Sequence, residues 1–348
     1  MNLHSRATTM PAIASLFAAL FSQQAFAAGA PAVGNFQPTA QGAIVPAGAR
    51  IEMLWNEGEF TEGPAPAADG TILFSDIGDR ILRFDPRSGK TAVFRSPSGK
   101  SNGLKFDPNG NLVACEGAAP GGGRRISVTD AKGNVRTLAD RFEGHRFNSP
   151  NDLAITRGGN VYFTDPRYVG DEPRELDFEG VFLVAPDGTP RVATRDVQKP
   201  NGIIATPDDR TIYLADNSNK PQGNHHLLAF AVQPDGTLAE KRVLYDFGPN
   251  HRGIDGMTLD VKGNIYATAG GGAEAGIYVF GPKGEHLAFM ATPGDPSNCV
   301  FGIGNESNVL YITGAGPKQP GADTKPRYAL FRIRLTHAGY HVFPRPAP

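Results

Sequence analysis

Oxygen-bearing side chains recur at one point of a repeated phrase in this sequence. Each stands nine or ten residues ahead of a β-rich run, and the five positions are Glu62, Asn102, Asn151, Asn201 and Asp255. In a sixth copy the same place falls on Asn298 or Cys299. Carboxylates and carboxamides suit Ca²⁺, which takes about six to eight oxygen ligands, better than Zn²⁺, which favours nitrogen and sulfur. If these positions converge in the fold, the sequence predicts a site for a divalent cation. The two acidic side chains would balance the charge of the cation.

The same residues have a simpler interpretation. Asn-Gly and Asp-Gly pairs are common turn formers, and glycine follows Glu62, Asn102, Asn201 and Asp255. A single copy fits that interpretation equally well. The recurrence of all five residues at the same point of the repeat favours a shared site. Such a site requires secondary-structure elements that bring the five residues close together.

The repeat itself predicts those elements. The β-rich runs are TILFSD (71–76), NLVACE (111–116), NVYFTD (160–165), TIYLAD (211–216), NIYATA (264–269) and VLYITG (309–314). Third and fourth strand-like segments follow, such as ILRFD (81–85) and TAVFR (91–95) in the first unit. Four short strands in a unit of about 40–54 residues are typical of a propeller blade. We therefore predict an all-β, six-bladed β-propeller with four-stranded blades over residues 50–345, whose innermost strands point the oxygen-bearing residues at one end of the central channel.

Closure of the ring also follows from the pattern. Every fourth strand directly precedes the next oxygen-bearing residue, and IEMLWN (51–56) precedes Glu62 in the same way. We expect this N-terminal segment to supply the outer strand of the last blade. GYHVF (339–343) is the alternative for that place, or an additional strand. For the whole pattern, the alternative is a β-sandwich with coincidental turns.

The composition is that of a folded protein rich in turns. The 348 residues include 43 glycines and 29 prolines, which destabilise helix interiors by about 1 and 3 kcal/mol relative to alanine and disfavour a helical bundle. Hydrophobic residues make up 40%, too many for a disordered chain. The net charge of −1 offers no basic surface for nucleic acid or an anionic membrane. Cys115 and Cys299 fall in different repeats, so we expect two buried free thiols, with a disulfide as the alternative.

The chain begins with the features of a secretory signal peptide, which we assign to residues 1–27. Arg6 gives a positive start, residues 12–21 are apolar, and Ala25-Phe26-Ala27 fits the cleavage pattern. The apolar run is much shorter than the about 20 residues that span a bilayer, so a cleaved signal fits better than an uncleaved anchor. We expect an N-terminal extension over 28–49 and a mature protein in the periplasm or outside the cell.

The repeats resemble a known family. SNGLKFDPNGNLVACE (101–116), LADRFEGHRFNSPNDLAI (138–155), YFTDPRY (162–168), KPNGIIATPDDRTIYLAD (199–216) and GIDGMTLDVKGNIYAT (253–268) are similar to bacterial gluconolactonases of the SMP-30/gluconolactonase/luciferin-regenerating-enzyme-like family. The resemblance runs from about residue 51 to 335, and NSPNDL with FTDP is specific to this group. It implies a six-bladed propeller with one divalent cation, usually calcium, in the central channel.

The resemblance also implies residue roles. Glu62, Asn151, Asn201 and Asp255 would hold the cation, with Zn²⁺, Mn²⁺ or Mg²⁺ as alternatives to Ca²⁺. Asn102 would lie nearer the substrate. The family usually continues Cys-Glu with His, whereas here a Gly-rich segment follows Glu116, which leaves the exact substrate open.

Site chemistry and resemblance together predict a hydrolase that opens a sugar lactone such as D-glucono-1,5-lactone. The cation would polarise the lactone carbonyl. Asp255 is the candidate general base, although coordination lowers the basicity of a carboxylate. Asn102, Arg167, Tyr168 and His251 are candidate substrate-binding residues, while ordinary surface or loop positions are the alternative for the last three.

Other functions remain open or lack support. Alternatives on the same metal site are hydrolysis of other lactones or of phosphoesters, and a non-catalytic binding propeller stabilised by calcium. The sequence has no GxSxG, HExxH or paired CxxC motif. His225 and His226 are adjacent on a predicted strand and would face opposite sides of it. We expect a monomer that acts on a small molecule.

Overall fold

The structure, a computed structural model, describes residues 38–186, 188–317 and 326–343. The predicted signal peptide and the first part of the N-terminal extension lie outside these ranges. The described chain begins with a short helix, α1 (Gln41–Ile44), followed by strand β1 (Glu52–Gly58). No helix in these ranges is long and apolar enough to cross a membrane.

The next strands form three successive antiparallel sheets, each hydrogen-bonded in chain order. The first contains β2 (Thr61–Pro66), β3 (Ile72–Asp76), β4 (Arg80–Asp85) and β5 (Lys90–Arg95). The second contains β6 (Ser101–Phe106), β7 (Leu112–Glu116), β8 (Arg125–Thr129) and β9 (Val135–Ala139), and a hairpin of β10 (Arg141–Phe142) and β11 (His145–Arg146) follows. The third contains β12 (Leu153–Ile155), β13 (Val161–Thr164), β14 (Val181–Val184) and β15 (Pro190–Thr194).

Three more sheets complete the described fold. The fourth contains β16 (Pro200–Ala205), β17 (Thr211–Asn217), β18 (His225–Val232) and β19 (Leu238–Asp246). The fifth contains β20 (Ile254–Leu259), β21 (Ile265–Ala269), β22 (Gly276–Phe280) and β23 (His286–Ala291), with a 3₁₀ turn at Gly272–Glu274. The sixth contains β24 (Pro296–Phe301), β25 (Val309–Ala315) and β26 (Tyr328–Arg334), with a 3₁₀ turn at Gly304–Glu306.

The sixth sheet takes its fourth strand from the N-terminus. β1 pairs with β26 in antiparallel fashion, with Glu52 opposite Arg332, and the strand order is β1-β26-β25-β24. Trp55 on β1 packs edge-on against Phe74 of the first blade at a centroid distance of 5.5 Å. The predicted six-bladed propeller and its closure by the N-terminal segment are therefore confirmed.

The GYHVF segment (339–343) is neither the outer strand of the last blade nor an additional blade strand. We call residues 338–343 the C-terminal cap. Tyr340 N–H donates to Leu259 O at 2.9 Å, and His341 Nε2 donates to Gly302 O at 3.1 Å. The cap encloses a cavity together with the last residues of five inner strands, Pro66, Phe106, Ile155, Ala205 and Leu259. It therefore covers the channel end opposite the oxygen-bearing residues instead of adding a strand to a blade.

The core consists of layers between neighbouring blades. In one layer Leu227 of β18 and Ala215 of β17 pack with Met257 and Ile265 of the fifth blade. Strands with both faces covered need apolar residues at nearly every position, which explains their continuous apolar runs. Cys115 and Cys299 are buried in such layers as free thiols, as expected.

A turn of the form Asp-x-x-Gly-Asn connects strands in several blades. Asp107 Oδ1 accepts hydrogen bonds from the backbone N–H groups of Asn109 (2.9 Å) and Asn111 (2.8 Å). The intervening glycine has φ +79°, a conformation that side chains disfavour. The same arrangement recurs at 130–134 and 260–264. The glycines of these turns lie at the channel end away from the oxygen-bearing residues.

Candidate metal centre

Four inner strands interrupt their pairing at the oxygen-bearing residue. In β2 the register shifts between Glu62 and Ala65. Equivalent irregularities lie at Ser101/Leu104, Pro200/Ile203 and Ile254/Met257. A bulge redirects a side chain from the regular alternation of a strand. These four oxygen-bearing residues thus lie in strand bulges, and the turn-former interpretation of their Asn-Gly and Asp-Gly pairs is wrong.

The glycine that follows four of the oxygen-bearing residues permits close contact between blades. A Cβ atom on Gly63 would lie 2.1 Å from Asn102 O, and Gly63 has φ +49°. A Cβ atom on Gly256 would lie 2.1 Å from Asn298 Cγ. Both distances are far below van der Waals contact, so a side chain here would push the next inner strand away. Glycine is therefore needed to draw the inner strands together around the channel.

One carboxamide of the sixth blade contacts carboxylates from two other blades. Asn298 in the sixth blade donates through Nδ2 to Glu62 Oε2 at 3.1 Å and to Asp152 Oδ2 at 3.4 Å. Asp152 belongs to the third blade, which lies across the ring from the sixth. Such a contact is possible only across the channel axis, so the predicted convergence of these blades at one channel end is present in the structure.

Asp255 lies beside this cluster with its own cationic partner. Its Oδ2 atom is 2.5 Å from Arg252 Nη2, and its side chain is 13% exposed. Asn201 also hydrogen-bonds to Asp255, and Asn201 Nδ2 donates to Tyr168 Oη at 3.3 Å. Tyr168 in turn donates to Asn217 O at 3.0 Å. A chain of hydrogen bonds thus holds the carboxamide of Asn201 next to the carboxylate of Asp255.

Burial governs the protonation of the three carboxyl groups. It raises the pKa of Glu62 well above its usual range, and the nearby Asp255 and Asp152 charges raise it further. Burial likewise raises the pKa of Asp152, against the opposing charge of Lys105. The pKa of Asp255 is also raised by burial, although Arg252 opposes the effect. A cation among these groups would stabilise their ionised forms.

The donor set fits a hard divalent cation. In the part of the chain that the structure describes, no group of three His, Cys, Asp or Glu side chains is arranged to hold a metal by itself. Carboxamides would have to complete the ligands, and the Oδ1 atoms of Asn102, Asn151 and Asn201 have no hydrogen-bond donor among the described residues. These oxygens, with the carboxylates of Glu62 and Asp255, are what calcium prefers.

The other candidate substrate residues have different positions. Arg167 donates to the main-chain oxygens of Asn148, Gly170 and Glu172 and so organises its own loop. His251 stacks on Phe247 with ring centroids 4.4 Å apart. Burial lowers the pKa of His251 to about 4, so this ring is neutral near pH 7. The structure brings Tyr168 to the cluster, whereas Arg167 and His251 support the surrounding loops.

The Gly-rich segment 117–123 connects β7 to β8 at the same end of the channel. Gly117 N–H donates to Lys100 O at 3.1 Å, and Ala118 N–H donates to Ser149 Oγ at 2.9 Å. The segment is therefore anchored between the second and third blades, close to Asn102 and Asn151.

The sequence patterns did not assign a role to three residues near these carboxylates, namely Asp152, Asn298 and Arg252. Asp152 follows Asn151 directly, and its place in the NSPNDL motif was the available signal. Asn298 was recognised only as one of two candidates for the sixth copy. Nothing in the spacing pointed to Arg252, because its contact with Asp255 depends on the path of the loop before β20.

Fold and site together define the class of protein: a six-bladed β-propeller with buried carboxylates and free carboxamide oxygens at one end of its channel. Residues 60–316 match the sequence profile of the SMP-30/Gluconolactonase/LRE-like region. The chain belongs to the SMP-30/gluconolactonase/LRE-like family, which confirms the resemblance noted from the sequence.

Individual relatives agree with this assignment. A gluconolactonase from Zymomonas mobilis is 32% identical over 300 residues, which cover 78% of this chain and 80% of that protein. A gluconolactonase structure from Xanthomonas campestris is 28% identical, has a TM-score of 0.72 and covers 89% of this chain and 97% of its own. Regucalcin from Agrobacterium tumefaciens, described as calcium-binding, is 19% identical with a TM-score of 0.66 over 84% of this chain and 95% of its own, and this likeness shows the fold alone.

Proposed function

We propose that this protein is a secreted, calcium-dependent lactonase that opens a sugar lactone such as D-glucono-1,5-lactone. The observation that supports it most directly is the meeting of Glu62, Asp152 and Asn298 across the channel axis, with Asp255 beside them. The similarity to two gluconolactonases supports the choice of substrate class.

Each residue of the cluster has a distinct task in this proposal. Glu62, Asn151, Asn201 and Asp255 hold the cation, which when bound supplies Lewis-acid polarisation of the lactone carbonyl. Asp255 orients the attacking water and accepts its proton. Tyr168 keeps Asn201 in place through the hydrogen bond from Nδ2. Asn102 donates a hydrogen bond to a sugar hydroxyl.

Assays on the mature protein test the activity. Hydrolysis of D-glucono-1,5-lactone is followed in a pH-stat with saturating calcium and again after chelation. We expect Glu62→Gln, Asp255→Asn and chelation each to lower the rate by about a hundredfold or more, in line with the loss of a key electrostatic group. Asp171→Asn, at an exposed position, is the matched control and should keep full activity.

Two results would overturn the proposal. A folded, calcium-saturated wild-type protein that hydrolyses nothing from a broad lactone panel would favour the binding propeller, and turnover of phosphoesters instead would favour the other hydrolase. Export is tested separately. Protein recovered from the periplasmic fraction should begin at Ala28.

A further inference from the structure

The guanidinium of Arg252 lies at the edge of the carboxylate cluster of Glu62, Asp152 and Asp255, and only some of its N–H groups have hydrogen-bond acceptors in the described part of the chain. Its Nη1 donates to Gly270 O at 3.2 Å and to Pro296 O at 2.8 Å, and its Nη2 donates to Asp255 Oδ2 at 2.5 Å. These bonds fix the side chain between the end of β21 and the start of β24. The orientation of the guanidinium is therefore set before any ligand binds.

Two of its donors are left over. A guanidinium has five N–H groups, and Nε–H and the second N–H of Nη2 have no acceptor among the described residues. The Arg252 side chain is 32% exposed, so solvent and small molecules can reach part of it. The Nε and Nη2 atoms form one edge of the guanidinium, and this edge can pair with a carboxylate through two parallel hydrogen bonds.

The balance of charge favours an anion at this place. Glu62, Asp152 and Asp255 supply three negative charges when ionised, and Lys105 and Arg252 oppose two of them. A divalent cation would bring the sum to one positive charge. The loaded site would attract a group that becomes negative during the reaction.

We propose that Arg252 binds the carboxylate that forms when the lactone ring opens, through Nε–H and the free Nη2–H, while it holds Asp255 by Oδ2. This inference rests on the proposed function. In the reaction the oxygen of water bonds to the carbonyl carbon and the ring C–O bond breaks. The electron pair and one proton go to the ring oxygen, which becomes a hydroxyl. The new carboxylic acid releases the second proton and leaves a carboxylate, which a neutral lactone does not have.

Calorimetric titration of the calcium-loaded protein tests the proposal with two probes, gluconate and the uncharged polyol glucitol. We expect Arg252→Gln to weaken gluconate binding by about tenfold or more, since a charge-assisted pair is lost, and to leave glucitol binding within about twofold. Arg252→Lys keeps the positive charge but loses the paired N–H donors of the guanidinium. Its gluconate affinity should lie between those of the wild type and Arg252→Gln. Arg87→Gln removes an exposed arginine that pairs with Asp85 far from the channel, and should bind both probes like the wild type.

The outcomes separate this inference from the proposed function. Unchanged gluconate binding in Arg252→Gln, or equal loss of gluconate and glucitol, would overturn the inference while lactone hydrolysis by the wild type left the function intact. Absence of gluconate binding by the wild type would overturn it as well. A wild type that binds gluconate through Arg252 but hydrolyses no lactone would support the anion site and overturn the function. In an active enzyme, gluconate should inhibit the wild type more strongly than Arg252→Gln.

Discussion

Asn298 Nδ2 lies 3.1 Å from Glu62 Oε2 and joins the sixth blade to the first across 236 residues of sequence. The same amide reaches Asp152 in the third blade, and Asn298 Oδ1 accepts from Cys299 N–H at 2.8 Å. Both ends of this carboxamide are therefore engaged. A single side chain links three blades at the channel axis, close to the point where the ring closes.

Replacement of Asn298 by alanine should destabilise the protein. Two buried carboxylates would lose their shared donor, and such a loss costs about 1–3 kcal/mol. Urea unfolding without calcium should show a decrease of this size in the free energy of unfolding. The decrease should shrink at saturating calcium, because a bound cation compensates the same carboxylates. An unchanged unfolding midpoint in the absence of calcium would contradict this role.

Gly256→Ala should be more harmful than an ordinary glycine substitution. The new Cβ would lie 2.1 Å from Asn298 Cγ, so the inner strands of the fifth and sixth blades must separate. We expect a loss of about 1–3 kcal/mol and weaker calcium binding, measured by thermal unfolding and calorimetry. Gly42→Ala is the matched control, because no atom lies within 4 Å of its Cβ position. Equal stability of the two variants would refute the close-approach argument.

Tyr168→Phe distinguishes positioning of the metal ligands from substrate binding. The variant keeps the ring but loses the hydroxyl that accepts from Asn201 Nδ2 and donates to Asn217 O. Removal of a partner that orients a ligand lowers metal affinity by about tenfold to a hundredfold. Calorimetry should therefore show weaker calcium binding. A higher KM with unaltered calcium affinity would instead assign Tyr168 to the substrate, as the sequence first suggested.

The C-terminal cap should make stability depend on pH. Burial lowers the pKa of His341 to about 4, with the nearby Lys105 charge acting in the same direction. The unfolded chain takes up this proton near pH 6.5, whereas the folded protein resists it until about pH 4. The contribution of His341 to the free energy of unfolding is therefore fully present above about pH 6.5. It falls as the pH drops toward 4, by about 3 kcal/mol at most.

His341→Gln removes this titration and keeps a donor for Gly302 O. Unfolding measured between pH 7 and 4 should show a shallower loss of stability for the variant than for the wild type. His145→Gln, at an exposed position, should retain the wild-type slope. Parallel curves for all three proteins would show that His341 does not control this dependence.

The blades could be predicted because each repeats the same local pattern. Strand runs, turn residues and the position ahead of each inner strand recur with little variation, and the N-terminal strand keeps its spacing to Glu62. The glycine after that position was harder to interpret. Its role depends on the distance to the next blade, which no local pattern specifies.

The remaining parts of the site depend on contacts across the ring. Asp152 meets Asn298 only because blades on opposite sides face the same axis. Arg252 reaches Asp255 because a loop folds back on the start of β20. The cap lies outside the repeat, so periodicity gave no information on its place.

The cap has one more consequence. Among the described residues, the cap (338–343) lies across the channel end away from the carboxylates. Substrate and product would then share the route at the other end, on the side of Arg252 and Tyr168. Product that stays bound in this part of the channel would therefore delay the entry of the next substrate molecule.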